Sequence, residues 1–323
     1  MPLYQFPFPD VVADTFRPDL CRLVFRHANN LLSTDWSVNY GLWSPFWRFR
    51  IVDGHENLLV TDKRGQVLYA WLNRPNMRNA LDDSMLEAIT ALFTSVQKQF
   101  DVRVVVLGGR GSAFCAGADR RSPPGLGGDS ERARHWASQI GRRAVEAILD
   151  CDAITIARVH GPAIGGGAAI ALACDFRIGS LAARLRLPEV DLGMPLAWAV
   201  LPRLIEEVGA ARARELVMLG DEITPERAEH LSLLHRVVPG DALDAEIDEL
   251  AGRLADKPEF AIRTTKIQFR AYRGARSLGV FTETDDVAWA RGLATDTARR
   301  AFGPTTQPST PPPAGESDDE ERR

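Results

Sequence analysis

The run HGPAIGGGAAIALACDFRI, His160 to Ile178, sets three consecutive glycines, Gly165, Gly166 and Gly167, between an apolar stretch and a segment that reads as a buried helix. Few folds need a bare backbone at such a junction. A nucleotide-binding P-loop would require Lys and Ser or Thr after the glycines, and here Gly167 and Ala168 follow Gly166. The dinucleotide fingerprint fails as well, because Ile170 stands at the third glycine position and no acidic residue follows at the right distance. Two uses remain: exposed amides, or close helix–sheet packing in a plain turn. Glycines let a ligand approach the main chain, and the following helix presents the positive end of its dipole.

A second loop of the same kind is RGSAFCAGAD, residues 110–119, after the apolar run VRVVVLGG. If both loops lie at one rim of a sheet, one amide from each can point at a single oxygen. That is an oxyanion hole, in which each donor contributes about 3–4 kcal/mol to a transition state.

The surrounding pattern is α/β. LLVTDK and QVLYAWLN flank Arg64-Gly65 as a hairpin, and Met85, Ile89, Leu92 and Val96 line one helical face after it. VRVVVLGG is continuously apolar, as in a strand covered on both faces. ITIARVHG, FRIGS and LRLPE read as later strands, and helices are expected over 131–150, 166–174 and 197–219. Past Asp256 the reading is helical, with a turn near Arg273-Gly274. The 323 residues, 45% of them hydrophobic, allow a substantial core. Four parts are expected: an aromatic-rich extension over 1–57, a core over 58–255, a helical subdomain over 256–303 and a disordered tail over 304–323. WSPFWRFRI in the extension could rest on a membrane surface, but packing on the protein or a neighbouring subunit is the favoured reading.

Composition narrows the function. A net charge of -4 gives no overall case for DNA or an anionic membrane as partner, and no stretch approaches the roughly 18 apolar residues of a membrane span. The six histidines lack metal-ligand spacing. Cys21, Cys115, Cys151 and Cys174 are widely spaced with no secretory leader, so reduced thiols in a cytoplasmic protein are expected.

LNRPNMRNAL at 72–81, AFCAGAD at 113–119, VHGPAIGGGAAIALACDFRI at 159–178 and LPEVDLGMP at 187–195, in this order, resemble the enoyl-CoA hydratase/isomerase (crotonase) family. So does ARARELVMLGDEITPERAEHLSLLHRVVP, at 211–239. The resemblance implies a ClpP/crotonase-like spiral of stacked ββα units with C-terminal helices that trimerise it. The assembly would be a homotrimer or homohexamer. It implies an acyl-CoA thioester as substrate, with coenzyme A entering as part of that substrate and no permanently bound cofactor or metal. Matched residue by residue, the amides of Ala118 and Gly166 hold the thioester oxygen, flanked by Asp119, Arg120, Gly165 and Gly167. Arg78 and Ala80 run beside the coenzyme A nucleotide, and Lys266 reaches its phosphates.

Hydratases of the family typically carry one glutamate two residues beyond the glycines and another in the PE dipeptide. Here the first is Ala169 and the second is Glu189. A 1,3 proton shift needs a single group that returns what it removed, so one glutamate favours isomerisation. Relatives similar to feruloyl-CoA hydratases lack the first glutamate and still add water, which keeps a one-glutamate hydratase open. Decarboxylation or C–C hydrolysis through the same enolate also stays open. Asp191 is expected to be solvated or salt-bridged, Cys115 to be packing, and Leu196, Ala197 and Trp198 to narrow or reshape the acyl pocket, with Trp198 equally readable as a core anchor of the following helix. Arg263, Lys266, Arg270, Arg273 and Arg276 form a basic stripe that would suit a non-catalytic acyl-CoA or RNA-binding scaffold.

Overall fold

The computed structural model describes residues 57–276 and 295–302. The aromatic extension, the proline-rich tail and Cys21 lie outside the described residues.

The first hairpin joins β1 (Leu59–Arg64) to β2 (Val67–Leu72) with Gly65 at the turn, where its φ of 57° suits glycine. Helix α1 (Asp83–Val96) starts at Asp82, whose carboxylate accepts from the Met85 amide at 2.9 Å. It crosses over to β3 (Val104–Gly109), parallel to β2. Two helices, α2 (Glu131–Ser138) and α3 (Ile140–Leu149), lead to β4 (Ile154–Val159), so the expected helix over 131–150 is broken at Gln139. Then come β5 (Pro162–Ile164), α4 (Gly166–Ala173), β6 (Phe176–Ser180) and β7 (Arg184–Arg186). The chain continues through α5 (Val200–Leu219), α6 (Pro225–His230) and β8 (Arg236–Val238). It ends in α7 (Leu243–Ala255), α8 (Glu259–Arg276) and α9 (Asp296–Phe302).

The main sheet has the order β1-β2-β3-β4-β6-β8, antiparallel at β1 and parallel elsewhere. Side chains alternate between its faces. Leu68, Ala70, Leu72, Val105 and Leu107 pack with α1, α3 and α4, while Val67, Tyr69, Val104 and Val106 pack with Leu243, Ile247 and Ala251 of α7. VRVVVLGG is therefore covered on both sides, as its continuous apolar run requires.

LRLPE does not join that sheet. Arg184–Arg186 pairs instead with Pro162–Ile164, and single bridges Cys115 to Ala163, Leu81 to Ala118 and Leu185 to Ile223 extend this small second layer. Leu81, Cys115, Ala118, Pro162–Ile164 and Arg184–Arg186 all follow strands of the main sheet, so the second layer gathers the loops at those strand ends.

Three local expectations are corrected. Helix α8 runs through Gly274 without a turn, since one glycine costs a helix only about 1 kcal/mol. Helix α5 starts at Val200, not 197, because Trp198 and Ala199 adopt left-handed φ values of 62° and 57°. The strand containing the PE dipeptide ends at Arg186, and Val190–Leu192 is a short 3-10 helix.

Candidate active site

The glycines bring two loops together. Gly117 has φ 85°, and a Cβ there would lie 2.5 Å from the Ile164 carbonyl oxygen and 3.5 Å from the Gly166 nitrogen. A Cβ at Gly167 would overlap the Cys115 carbonyl. Gly165 needs glycine for its φ of 52°, and its amide donates to the Arg186 carbonyl at 2.8 Å, tying the loop to β7. Gly166 opens α4, where an N–H has no intrahelical acceptor.

The other loop is held by alternation. Leu81 N donates to Gly117 O and Asp119 N donates to Leu81 O, each at 2.8 Å, so the intervening Ala118 amide faces away from that bridge. Ala118 and Gly166 line one cavity of about 230 Å³, with Glu189 in its wall.

Glu189 follows β7 at the head of the 3-10 helix. Its Oε1 lies 3.1 Å from where a Cβ of Gly165 would stand, and its buried Oε2 has no hydrogen-bond partner among the described residues. Burial pushes its carboxyl up to about 7, only partly opposed by its own backbone amide. The rest of the lining is chiefly apolar, including Ala169, Leu192, Met194, Leu196, Ala197, Trp198 and Val200, with Arg120 and Arg186 as charged members. Such a cavity can polarise a carbonyl with two amides and move a proton with one carboxylate near neutral pH. Among the described residues no group of three or more His, Cys, Asp or Glu could hold a metal ion. No helix there is long and apolar enough to cross a membrane.

The profile of the family described as "Enoyl-CoA hydratase/isomerase" matches residues 62–285, more than half of the chain. The chain belongs to the enoyl-CoA hydratase/isomerase family. Relatives include a crotonyl-CoA hydratase of Syntrophomonas wolfei, 32% identical over 66% of this chain and 80% of the relative. The mitochondrial Delta(3,5)-Delta(2,4)-dienoyl-CoA isomerase of Homo sapiens is 32% identical over 66% and 68%. Among solved structures, an enoyl-CoA hydratase from Mycobacterium avium subsp. paratuberculosis superposes with a TM-score of 0.69 at 24% identity, covering 76% of this chain and 97% of that one. A monofunctional enoyl CoA isomerase from M. smegmatis superposes with a TM-score of 0.56 at 27% identity, covering 69% and 96%. The fold is thus the crotonase-like α/β spiral of repeated ββα units with a C-terminal helical subdomain, and the family acts on coenzyme A thioesters.

Not every residue expected at a family site reaches this cavity. Ala118, Gly165, Gly166, Glu189, Arg120 and Trp198 line it; Gly167 and Asp119 lie directly behind. Arg78 is exposed and Ala80 buried outside it, their carbonyls accepting from the Ala116 amide at 2.9 Å and the Arg74 guanidinium at 2.6 Å. Lys266 needs correction. It is 7% exposed and donates to Asp175 at 2.6 Å and Ala153 O at 2.7 Å, so its ammonium is held inward against β4 and β6. It borders a different, larger cavity of about 560 Å³ beneath α8, which lacks the converging amides. Arg270 likewise pairs with Asp152 at 2.8 Å, so two cations of the basic stripe are already neutralised. Asp191 is salt-bridged to Arg186 at 2.9 Å, and the Cys115 thiol, pushed up to about 12 by burial, is packing.

Sequence reading missed the residues that hold the oxyanion loop. Asn79 is fully buried, with its side-chain amide donating to the carbonyls of Arg110, Ala113 and Phe114 and accepting from Arg74 N. Arg74 pairs with Asp119 at 2.9 Å and Asp82 at 3.0 Å. Burial alone would raise the Asp119 carboxyl, but the Arg121 amide and Arg74 outweigh it and hold it below its usual range. Arg74 and Asn79 stand inside RPNMRNAL, but nothing in their spacing names partners some 30 to 45 residues away.

Proposed function

We propose that this protein shifts a double bond in an acyl-CoA thioester, with Glu189 as the single acid–base group and the amides of Ala118 and Gly166 as the oxyanion donors. The observation that carries the reading is the solitary Glu189 carboxylate, raised to about 7, in a cavity whose opposite helix presents Ala169. In a 3-enoyl thioester, Glu189 takes a proton from C2 and the electron pair delocalises onto the thioester oxygen, where the two amides receive the charge. The same carboxyl returns the proton to C4, leaving the double bond between C2 and C3. Nothing is oxidised or reduced, and no water is consumed. Arg120, exposed and in the lining, marks the side on which coenzyme A would enter.

Hydration by one glutamate is the second reading, supported by the hydratases among the relatives. A panel of 2- and 3-enoyl-CoA isomers incubated in ¹⁸O-labelled water separates the two by mass spectrometry. A moved double bond at unchanged mass is the expected outcome; a product heavier by one labelled water would overturn isomerisation.

A further inference from the structure

The turn Leu196-Ala197-Trp198-Ala199 is costly to build and is built around one ring. Trp198 and Ala199 are consecutive non-glycine residues in the left-handed region, a conformation retained where surrounding contacts enforce it. The indole is 5% exposed and occupies a slot made by two glycines on separate helices. A Cβ at Gly141 of α3 would overlap the Cε2 edge of the ring, and one at Gly166 of α4 would overlap the Cζ3 edge. Glycine at 141 is otherwise unexplained inside a helix, where it is unfavourable. The ring therefore bridges α3 and α4 and forms a wall of the cavity, beside the amide proposed to hold the thioester oxygen.

From this wall we infer that Trp198 sets the length of acyl chain the protein accepts, and that the acyl group is short and apolar. The inference rests on the proposed acyl-thioester reading. The cavity, about 230 Å³, is about half again as large as an apolar void of roughly 150 Å³ that holds a benzene molecule. Part of it is needed by the thioester itself, so the remainder accommodates an acyl chain of about four to six carbons. Leu192, Met194, Leu196, Ala197 and Val200 make most of the lining apolar, with Arg120, Arg186 and Glu189 its charged members.

The test uses the full chain and saturated thioesters, which cannot isomerise or add water and so report binding alone. Calorimetric titration with butanoyl-, hexanoyl-, octanoyl-, decanoyl- and dodecanoyl-CoA should give affinity that peaks at four to six carbons and falls at least tenfold by decanoyl-CoA. Trp198→Gly removes the wall while easing the left-handed backbone, and should bring decanoyl-CoA to within about threefold of hexanoyl-CoA. Trp198→Phe, the smaller perturbation, should move the break by about two carbons and decides the matter if the glycine variant fails to fold. Wild-type affinity that climbs steadily to dodecanoyl-CoA, or a break that stays in place in folded Trp198 variants, would overturn the inference while leaving the thioester reading intact. Absence of binding at every length, free coenzyme A included, would instead remove the thioester reading and this inference with it.

Discussion

At the scale of single residues, Glu189 joins reactivity to a thermodynamic cost. Its carboxyl is raised from the ordinary value of 4.5 to about 7 by burial, so the basic form appears only as pH rises through about 7. We expect kcat/KM to increase close to tenfold per pH unit below that value and to level above it, a limb absent from residual activity in Glu189→Gln. Stability should run the other way. A group whose folded pKa is raised favours the folded state at pH below 4.5 and loses that contribution as pH climbs to about 7. Glu189→Gln should therefore gain thermal stability over wild type at pH 8 but not at pH 4, measured by thermal denaturation at both. Equal shifts at the two pH values would refute the burial of an ionisable Glu189. The place of Glu189 in the cavity wall was legible from the PE dipeptide, through the resemblance of its flanking motif to the family. That its Oε2 finds no hydrogen-bond partner among the described residues was not, since that depends on what the folded chain leaves around it.

The elements show where local reading succeeds and fails. Helical spacing of Met85, Ile89, Leu92 and Val96 placed α1, and continuous apolar runs placed β3 and α4, which are buried nearly all round. The start of α5 escaped, because Trp198 has no local reason to be left-handed and obeys the slot between Gly141 and Gly166 instead. Lys266 escaped for the same reason, its partner Asp175 lying 91 residues away. Between elements, Asn79 is the main tie from the RPNMRNAL segment to the loop after β3. Asn79→Ala leaves two buried carbonyls, those of Ala113 and Phe114, and the half-buried Arg110 carbonyl short of a donor, and should cost about 3 kcal/mol in denaturant unfolding. It should also lower kcat more than it raises KM, because the Ala118 amide loses its fixed position while the cavity keeps its shape. An unchanged kcat with reduced stability would confine Asn79 to a structural role.

For the whole molecule, α8 carries exposed apolar side chains: Phe260 and Phe269 are 77% and 72% exposed, and Ile267 is exposed beside them. Large exposed rings on a helix pinned to the body by Lys266 and Arg270 mark an interface, and we expect a trimer or a dimer of trimers. Analytical ultracentrifugation should give that mass at micromolar concentration, and Phe269→Glu should shift it toward the monomer. A wild-type monomer would refute the assembly. With a trimer observed, the 256–303 segment would be the assembling part of the chain, as the family resemblance implied. The bridge between Leu81 and Ala118 has a further consequence for how such a site can change over time. Under the proposed mechanism the side chain at 118 does no chemistry; its main-chain nitrogen is the donor because it falls between Gly117 O and Asp119 N, both tied to Leu81. Function at this position is held by counting, and a one-residue insertion or deletion between Cys115 and Asp119 would turn the wrong amide toward the substrate even if every side chain were kept. Position 118 can change its side chain and still work, but Gly117 must stay glycine and the loop cannot drift in length.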